Sequence, residues 1–398
     1  MTKQQETLIL ENIVELLELP DTAYKKAKER YEDLGKWFGR GESLFKDNDV
    51  HVFPQGSFRL GTAIKPLNNN EEYDLDLACN IRDGISKSTH SQKDLKELVG
   101  KELESYRNAR GIKSEKDEKR RCWRLEYQDS LSFHMDVVPC IPLDESISNL
   151  IYEDIIYGNY VADENLSKKI SSKSVSITDT DKENYPKIDS DWYISNPEGY
   201  ALWFEAMMQK NQATRLLMEK AQVDKLPIFN QKTILQRAVQ LLKRHRDNMF
   251  KDHDDSKPIS VIITTLAGRA YNGEENLADA LKNILDNMDK YINKSGKKVP
   301  NPTHPEEDFA DKWDDASYAH LKLEENFYLW LKSARRDFAS MTGSDNSGFD
   351  SDLISEKMNL SLNSIDKIGT MLGLAASSAF SSNYHIKKED TASPWKKS

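Results

Sequence analysis

The chain has 398 residues, 38% of them hydrophobic and 31% charged, with a formal net charge of -10. That length and hydrophobic fraction suit two ordinary domains, or one elaborated domain, and exclude a globally disordered chain. The acidic balance argues against a main partner that is a long nucleic-acid backbone, and no apolar run approaches the ~18 residues of a membrane span.

In chain order, Leu10, Ile13, Val14 and Leu17 recur at helical spacing up to Pro20. Asp21 then reads as the N-cap of a second helix with Ala23, Ala27, Tyr31, Leu34 and Phe38 on one face. "HVFP" at 51–54 reads as a short strand, "GSFRLGT" as a glycine-rich turn, and "YDLDLACNI" as a strand of period two. Residues 93–107 are helical in pattern. "RCWRLEYQ" (121–128) and "LSFHMDVVP" (131–139) read as further strands. In the second, Leu131, Phe133, Met135 and Val137 face one way, and Ser132, His134 and Asp136 the other.

Residues 164–190 are polar and turn-rich and read as a surface loop or domain connection. From "NPEGYALWFEAMM" onward the pattern is mainly helical, including 231–247, although "PISVIITTLAG" (258–268) suits a strand as well as a buried helix. "NPTHPEEDFADKW" (301–313) reads as an acidic surface segment. The N-terminus lacks a signal-peptide pattern. Cys79, Cys122 and Cys140 have no CxxC spacing and read as buried free thiols, so a cytoplasmic protein is expected.

The chemistry concentrates in "PQGSFRLGTAIKPLNNNEEYDLDLACNI". Residues two apart on a strand share a face, so Asp74 and Asp76 point together while Leu75 and Leu77 enter the core. Asp136 lies on the polar face of another strand. Three such carboxylates repel one another unless hard divalent cations neutralise them, and magnesium or manganese fits an all-oxygen set. Two ions roughly 3.5–4 Å apart clamp an in-line displacement at phosphorus. Gly56 allows close backbone approach to a phosphate, and Ser57 brings a hydroxyl and an N–H.

A Gly-Ser turn, an acidic-apolar-acidic strand and a later third Asp resemble the DNA polymerase β-like nucleotidyltransferase superfamily. Within it, "PQGSFRLGTAIKP", "YDLDLAC", "HMDVVP", "NPEGYALWFEAM", "LLKRHRD" and "KPISVIITTLAG" resemble the bacterial cGAS/DncV-like nucleotidyltransferases, or CD-NTases. The resemblance runs from about Val50 to Trp313.

It implies an α+β fold, with a polymerase β-like lobe on a mixed sheet (1–195, with the N-terminal helices). A helical lobe like that of oligoadenylate synthases (196–380) would close the nucleotide cleft, and a polar tail (381–398) would follow. It further implies synthesis of a cyclic di- or trinucleotide second messenger from NTPs, ATP and possibly GTP, with release of pyrophosphate. Such products act in CBASS antiphage defence by switching on an effector.

By position, Asp74 and Asp76 would hold both metal ions and Asp136 would complete the ligand set and activate the attacking hydroxyl. Gln55, Gly56 and Ser57 would grip the donor triphosphate, with Lys243 and Ser260 reaching it from the helical lobe. The resemblance also leaves 301–313 a structural role near the cleft. The terminal "SPWKKS" is a poor match to relatives whose C-terminus is conjugated.

Other readings stay open from sequence. A templateless polymerase making linear oligoadenylate or extending RNA ends would use the same carboxylates, and a catalytically silent nucleotide-binding protein would share the fold. "HRD" at 245–247 lacks the glycine-rich loop and spacing of a kinase, and His245 reads as a packing histidine. Lys243, Arg244 and Arg246 could equally be a solvated helix end, and Ser260 a helix N-cap. His134 reads as a hydrogen-bonding neighbour of the carboxylates. Trp192, Tyr193, Tyr200 and Trp203 could stack a base, with core packing expected for at least two.

Overall fold

A computed structural model describes residues 1–68, 72–127, 133–216, 232–343 and 348–374. Leu131, Ser132 and the polar tail therefore lie outside the described residues.

Helix α1 (Lys3–Leu17) starts from a capping box in which Thr2 and Gln5 satisfy each other's backbone N–H groups, and it buries Ile9, Leu10, Ile13, Val14 and Leu17. Helix α2 (Asp21–Phe38) has Pro20, not Asp21, at its N-cap position. Asp21 instead sits in the first turn, where its charge meets the exposed N–H groups.

Strand β1 (Val50–Pro54) leads into a one-turn helix, α3 (Gly56–Leu60), where the sequence suggested only a turn. Gly61, at φ 66°, ends it in a left-handed conformation. Strand β2 (Tyr73–Ile81) buries Leu75 and Leu77 as its alternation predicts. Helix α4 (Gln92–Ala109), β3 (Asp117–Glu118) and β4 (Trp123–Tyr127) then carry the chain to β5 (Phe133–Pro142). Phe133, Met135 and Val137 are fully buried on β5.

Strands β1, β2, β5, β4 and β3 lie side by side in that order. Only β2 and β5 are parallel, which the long excursion through α4 permits. The sheet is extended by β6 (Val175–Ile177) and β7 (Tyr193–Ser195), antiparallel to β5 and to each other respectively.

The stretch 164–190 is not simply a surface loop. It holds α6 (Glu164–Ser171) and β6, whose three residues are all buried. Its polar character is compensated internally: buried Asp179 accepts hydrogen bonds from Arg120 Nε at 2.7 Å and Arg121 Nε at 2.9 Å, and its own N–H reaches Gln92.

Two main cores result. One lies against the sheet and gathers residues of α2, α4, β2, β4 and β5. The larger is helical and draws on α7 (Pro197–Met208) and the helices Ile234–Met249, Ser260–Ala270, Leu277–Asn287 and Leu323–Met341. Helix α1, from the N-terminus, and α5 (Glu145–Tyr157) with α6 also bury their apolar faces there. The ambiguous 258–268 stretch is helical, because a segment buried on nearly all sides needs no strand partner to shelter its β-branched residues. No helix of the described residues is long and apolar enough to cross a membrane.

Candidate active site

Register sets the centre of the site. On the parallel β2–β5 ladder Asp76 stands opposite Asp136 and Asp74 opposite His134, while on β4 Arg124 stands opposite Asp136. Asp76, Asp136 and Arg124 thus form one row across three strands. The turn after β1 closes on this row: Gln55 N–H donates to the Asp76 carbonyl at 2.8 Å. Gly56 has φ 60°, and a Cβ there would overlap Asp76 Oδ2 and come within 3.2 Å of its Cγ. Only glycine supplies both that backbone conformation and that space.

The three carboxylates differ in surroundings. Asp74 is 70% exposed, whereas Asp136 is 17% exposed and held by Arg124 through two 2.7 Å bonds, Nε to Oδ1 and Nη2 to Oδ2. That bidentate pairing in turn raises the Arg124 pKa. Among the described residues, none donates a hydrogen bond to the Asp76 carboxylate. Burial, then the charges of Asp74 and Asp136, push its pKa up to about 7, against the pull of Arg124 and Lys243. His134 pairs with Glu72 and places Nδ1 3.7 Å from Asp74 Oδ1, so it acts as a neighbour of the carboxylates, as expected.

The described residues hold no group of three His, Cys, Asp or Glu side chains already converged on a cation position. The donor set nevertheless fits a hard divalent ion. Magnesium is ordinarily bound by one or two carboxylates plus water and substrate phosphates, not by a complete protein cage. A carboxylate with a raised pKa and no donor, between two others, is the environment such an ion relieves.

From the helical side, Lys243, Arg244 and Arg246 are all buried, so they are not a solvated helix end. Each is tied down by a backbone carbonyl: Lys243 Nζ to Thr62 at 2.9 Å, Arg244 Nη2 to Lys65 at 2.5 Å, Arg246 Nη1 to Pro258 at 2.7 Å. Burial, then the Arg246 charge, lower the Lys243 pKa to about 8. Arg246 also donates to Ser260 Oγ at 3.1 Å. Ser260 is the first residue of its helix and Ile259 the N-cap residue, which makes no side-chain cap. His245 is buried and its Nε2 lies 3.1 Å from Asp337 Oδ2, a packing role as expected.

Asp74, Asp76, Arg124, His134, Lys243, Arg246 and Ser260 line one cleft of 1280 Å³, together with Gln55, Gly56 and Ser57, whereas Asp136, Arg244 and His245 do not. Asp136 meets it through Arg124. That volume exceeds the ~300–1,000 Å³ of an ordinary small-molecule site. The cleft also includes Arg246, weighed from sequence as part of a basic helix end, and three residues not singled out there: Arg124, Asn301 and Glu307. Asn301 and Glu307 belong to the hairpin of β8 (Pro300–Asn301) and β9 (His304–Asp308), which is therefore a wall of the cleft as well as a surface segment. A signal for Arg124 existed, since alternation on 123–127 sets it opposite Trp123 and Leu125; for Glu307 only the family resemblance of 301–313 pointed toward the cleft. Of the four aromatic residues, Trp192 and Trp203 are core, and Tyr200 reaches the cleft.

Residues 50–140 match the family described as "Cyclic GMP-AMP synthase DncV-like, nucleotidyltransferase domain". Over 319 residues the chain is 30% identical to a c-di-GMP synthase of Roseivirga ehrenbergii, covering 79% of this chain and 74% of that protein. The cyclic dinucleotide synthase CdnG of Bradyrhizobium diazoefficiens is 24% identical over 315 residues, covering 75% of this chain and 68% of CdnG. The solved structure of that CD-NTase, in complex with GTP, superposes with a TM-score of 0.64 at 20% identity, over 93% of this chain and all of the other. The α+β fold of a polymerase β-like lobe joined to a helical lobe is thereby established. The chain belongs to the bacterial CD-NTases and is a nucleotidyltransferase.

Proposed function

We propose that this chain joins NTPs into a cyclic dinucleotide with loss of pyrophosphate, and that the product serves as a second messenger in CBASS defence within the cytoplasm. The observation that carries the reading is the Asp76–Asp136 register pair with the Gly56 backbone set against the Asp76 carboxylate. The names of the relatives support a cyclic product.

Asp74, Asp76 and Asp136 would hold divalent magnesium or manganese, two ions in all. Bound there, such ions neutralise phosphate charge and lower the pKa of an attacking hydroxyl. The chain's own groups do the rest. Gly56 and Ser57 present backbone N–H groups and a hydroxyl to the donor triphosphate, and Gln55, whose own N–H is given to the Asp76 carbonyl, offers its side chain. Lys243 and Ser260 face the same cleft from the helical lobe, where Lys243 supplies positive charge to the phosphates. Asp136 accepts the proton of the acceptor hydroxyl, and Arg124 holds that carboxylate in place. The cleft is large enough to keep a linear intermediate while its second end is presented.

The sheet-based lobe would correspond to residues 1–195 and the helical lobe to 196–380, of which 375–380 lie outside the described residues, with α1, α5 and α6 of the first packed on the helical core. To test the function, purified protein is incubated with the four labelled NTPs, magnesium or manganese, and phosphatase, beside an Asp74→Ala/Asp76→Ala double mutant. A phosphatase-resistant cyclic species that the mutant does not make supports the reading. A linear ladder overturns it in favour of a templateless polymerase.

A further inference from the structure

One wall of the cleft has a polar group that phosphate chemistry does not need. Glu307, on β9, lines the cavity with Asn301 and Phe309 of the same hairpin segment and with Tyr200 of α7. Its Oε2 accepts a 2.7 Å hydrogen bond from Asn301 Nδ2. Asn301 is itself fixed, because its Oδ1 accepts from both the N–H and the hydroxyl of Thr303 at 2.9 Å. Phe309 and Tyr200 pack edge to face beside them, with ring centroids 5.9 Å apart. Among the described residues, no other group donates a hydrogen bond to Glu307. A carboxylate beside a triphosphate site repels the ligand's phosphates, so it suits a different part of the ligand.

We infer that Glu307, oriented by Asn301, reads the Watson–Crick edge of a guanine base. The inference rests on the nucleotide-binding reading of the same cleft. Guanine presents two adjacent donors, N1–H and N2–H, to which a carboxylate accepts in a bidentate fashion. Adenine presents one donor and the N1 lone pair, which faces the carboxylate repulsively. Hypoxanthine keeps N1–H but lacks the N2 amino group. Burial, which holds the Glu307 pKa above the ordinary range, strengthens hydrogen bonds made there and makes an unmatched base costly. A good bidentate base contact discriminates by ~1–3 kcal/mol, or about five- to 150-fold.

The test is equilibrium binding of α,β-imido analogues of GTP, ATP and ITP to the full chain, which needs no turnover. Wild-type protein is expected to bind the GTP analogue roughly ten- to a hundredfold more tightly than the other two. Glu307→Gln offers one acceptor and one donor, so it is expected to lose that preference and to gain affinity for the ATP analogue. Asn301→Ala is expected to weaken the GTP analogue selectively. A GTP-to-ITP ratio near one in the wild type overturns the inference without recourse to any variant. An unchanged GTP-to-ATP ratio in a folded Glu307→Gln protein overturns it too. Binding of no triphosphate at all would instead refute the nucleotide-site reading, which distinguishes the two failures.

Discussion

Replacing Gly56 by alanine tests the geometry most directly. At φ 60° an L-residue pays about 1–2 kcal/mol in backbone strain. The added methyl would overlap Asp76 Oδ2, so the carboxylate must turn away or the turn must lift by several tenths of an ångström or more. A displacement of about 1 Å at reacting groups can cost on the order of 10²-fold in rate. We therefore expect Gly56→Ala to lose roughly 1–3 kcal/mol of stability and about a hundredfold in kcat, read by pyrophosphate release. Gly61→Ala is the control. It has a similar φ of 66°, but its methyl would meet the amide end of Gln236, which donates to the Leu60 carbonyl, and not a carboxylate. That variant should show comparable strain in thermal melting with kcat within a few-fold of wild type. If Gly56→Ala turns over within threefold of wild type, or if both variants lose rate equally, the placement of this turn against Asp76 does not matter as argued.

Three further outcomes are expected. Magnesium or manganese should raise the thermal midpoint of the wild-type protein relative to EDTA, and Asp76→Asn should abolish most of that increment; an undiminished increment would place the ion elsewhere. Arg124→Met frees the Asp136 carboxylate from its two hydrogen bonds, so kcat should fall about ten- to a hundredfold with KM for NTP little changed, whereas Arg124→Lys restores part of the rate and a pure KM effect would contradict the positioning role. The buried Asp337 should make the fold acid-sensitive: although burial raises its pKa, hydrogen bonds from His245 and Arg336 hold it down to about 2. Its contribution, roughly 2–3 kcal/mol, is present above the ordinary aspartate range and is lost as pH falls from about 4 to 2. Denaturation from pH 7 to 2 of wild type and Asp337→Asn should therefore converge at the acid end, and parallel curves would refute it.

The sequence by itself determined those features that depend on near neighbours in the chain. Alternation on "YDLDLACNI" placed Asp74 and Asp76 on one face, and the same rule placed Asp136 among polar residues. Each follows from the two-residue period of a strand. Helices such as α1 and α2 were legible from apolar spacing. Local pattern could also be overruled by distant partners. The stretch 164–190 looked solvated because its polar residues have no local partner, yet Arg120, Arg121 and Gln92 satisfy Asp179 from other elements. The basic "LLKRHRD" cluster could equally be read as a helix end in water for the same reason, and carbonyls from residues 62 to 66 make its burial tolerable.

Only the tertiary structure decided the cross-strand row of Asp76, Asp136 and Arg124, since register between strands is set by packing across the whole sheet. It alone brought Glu307, more than 160 residues beyond the last of the three aspartates, into the cleft. Likewise, only the fold shows α1 covering the helical core, because an apolar stripe records that a helix must be covered but not by what.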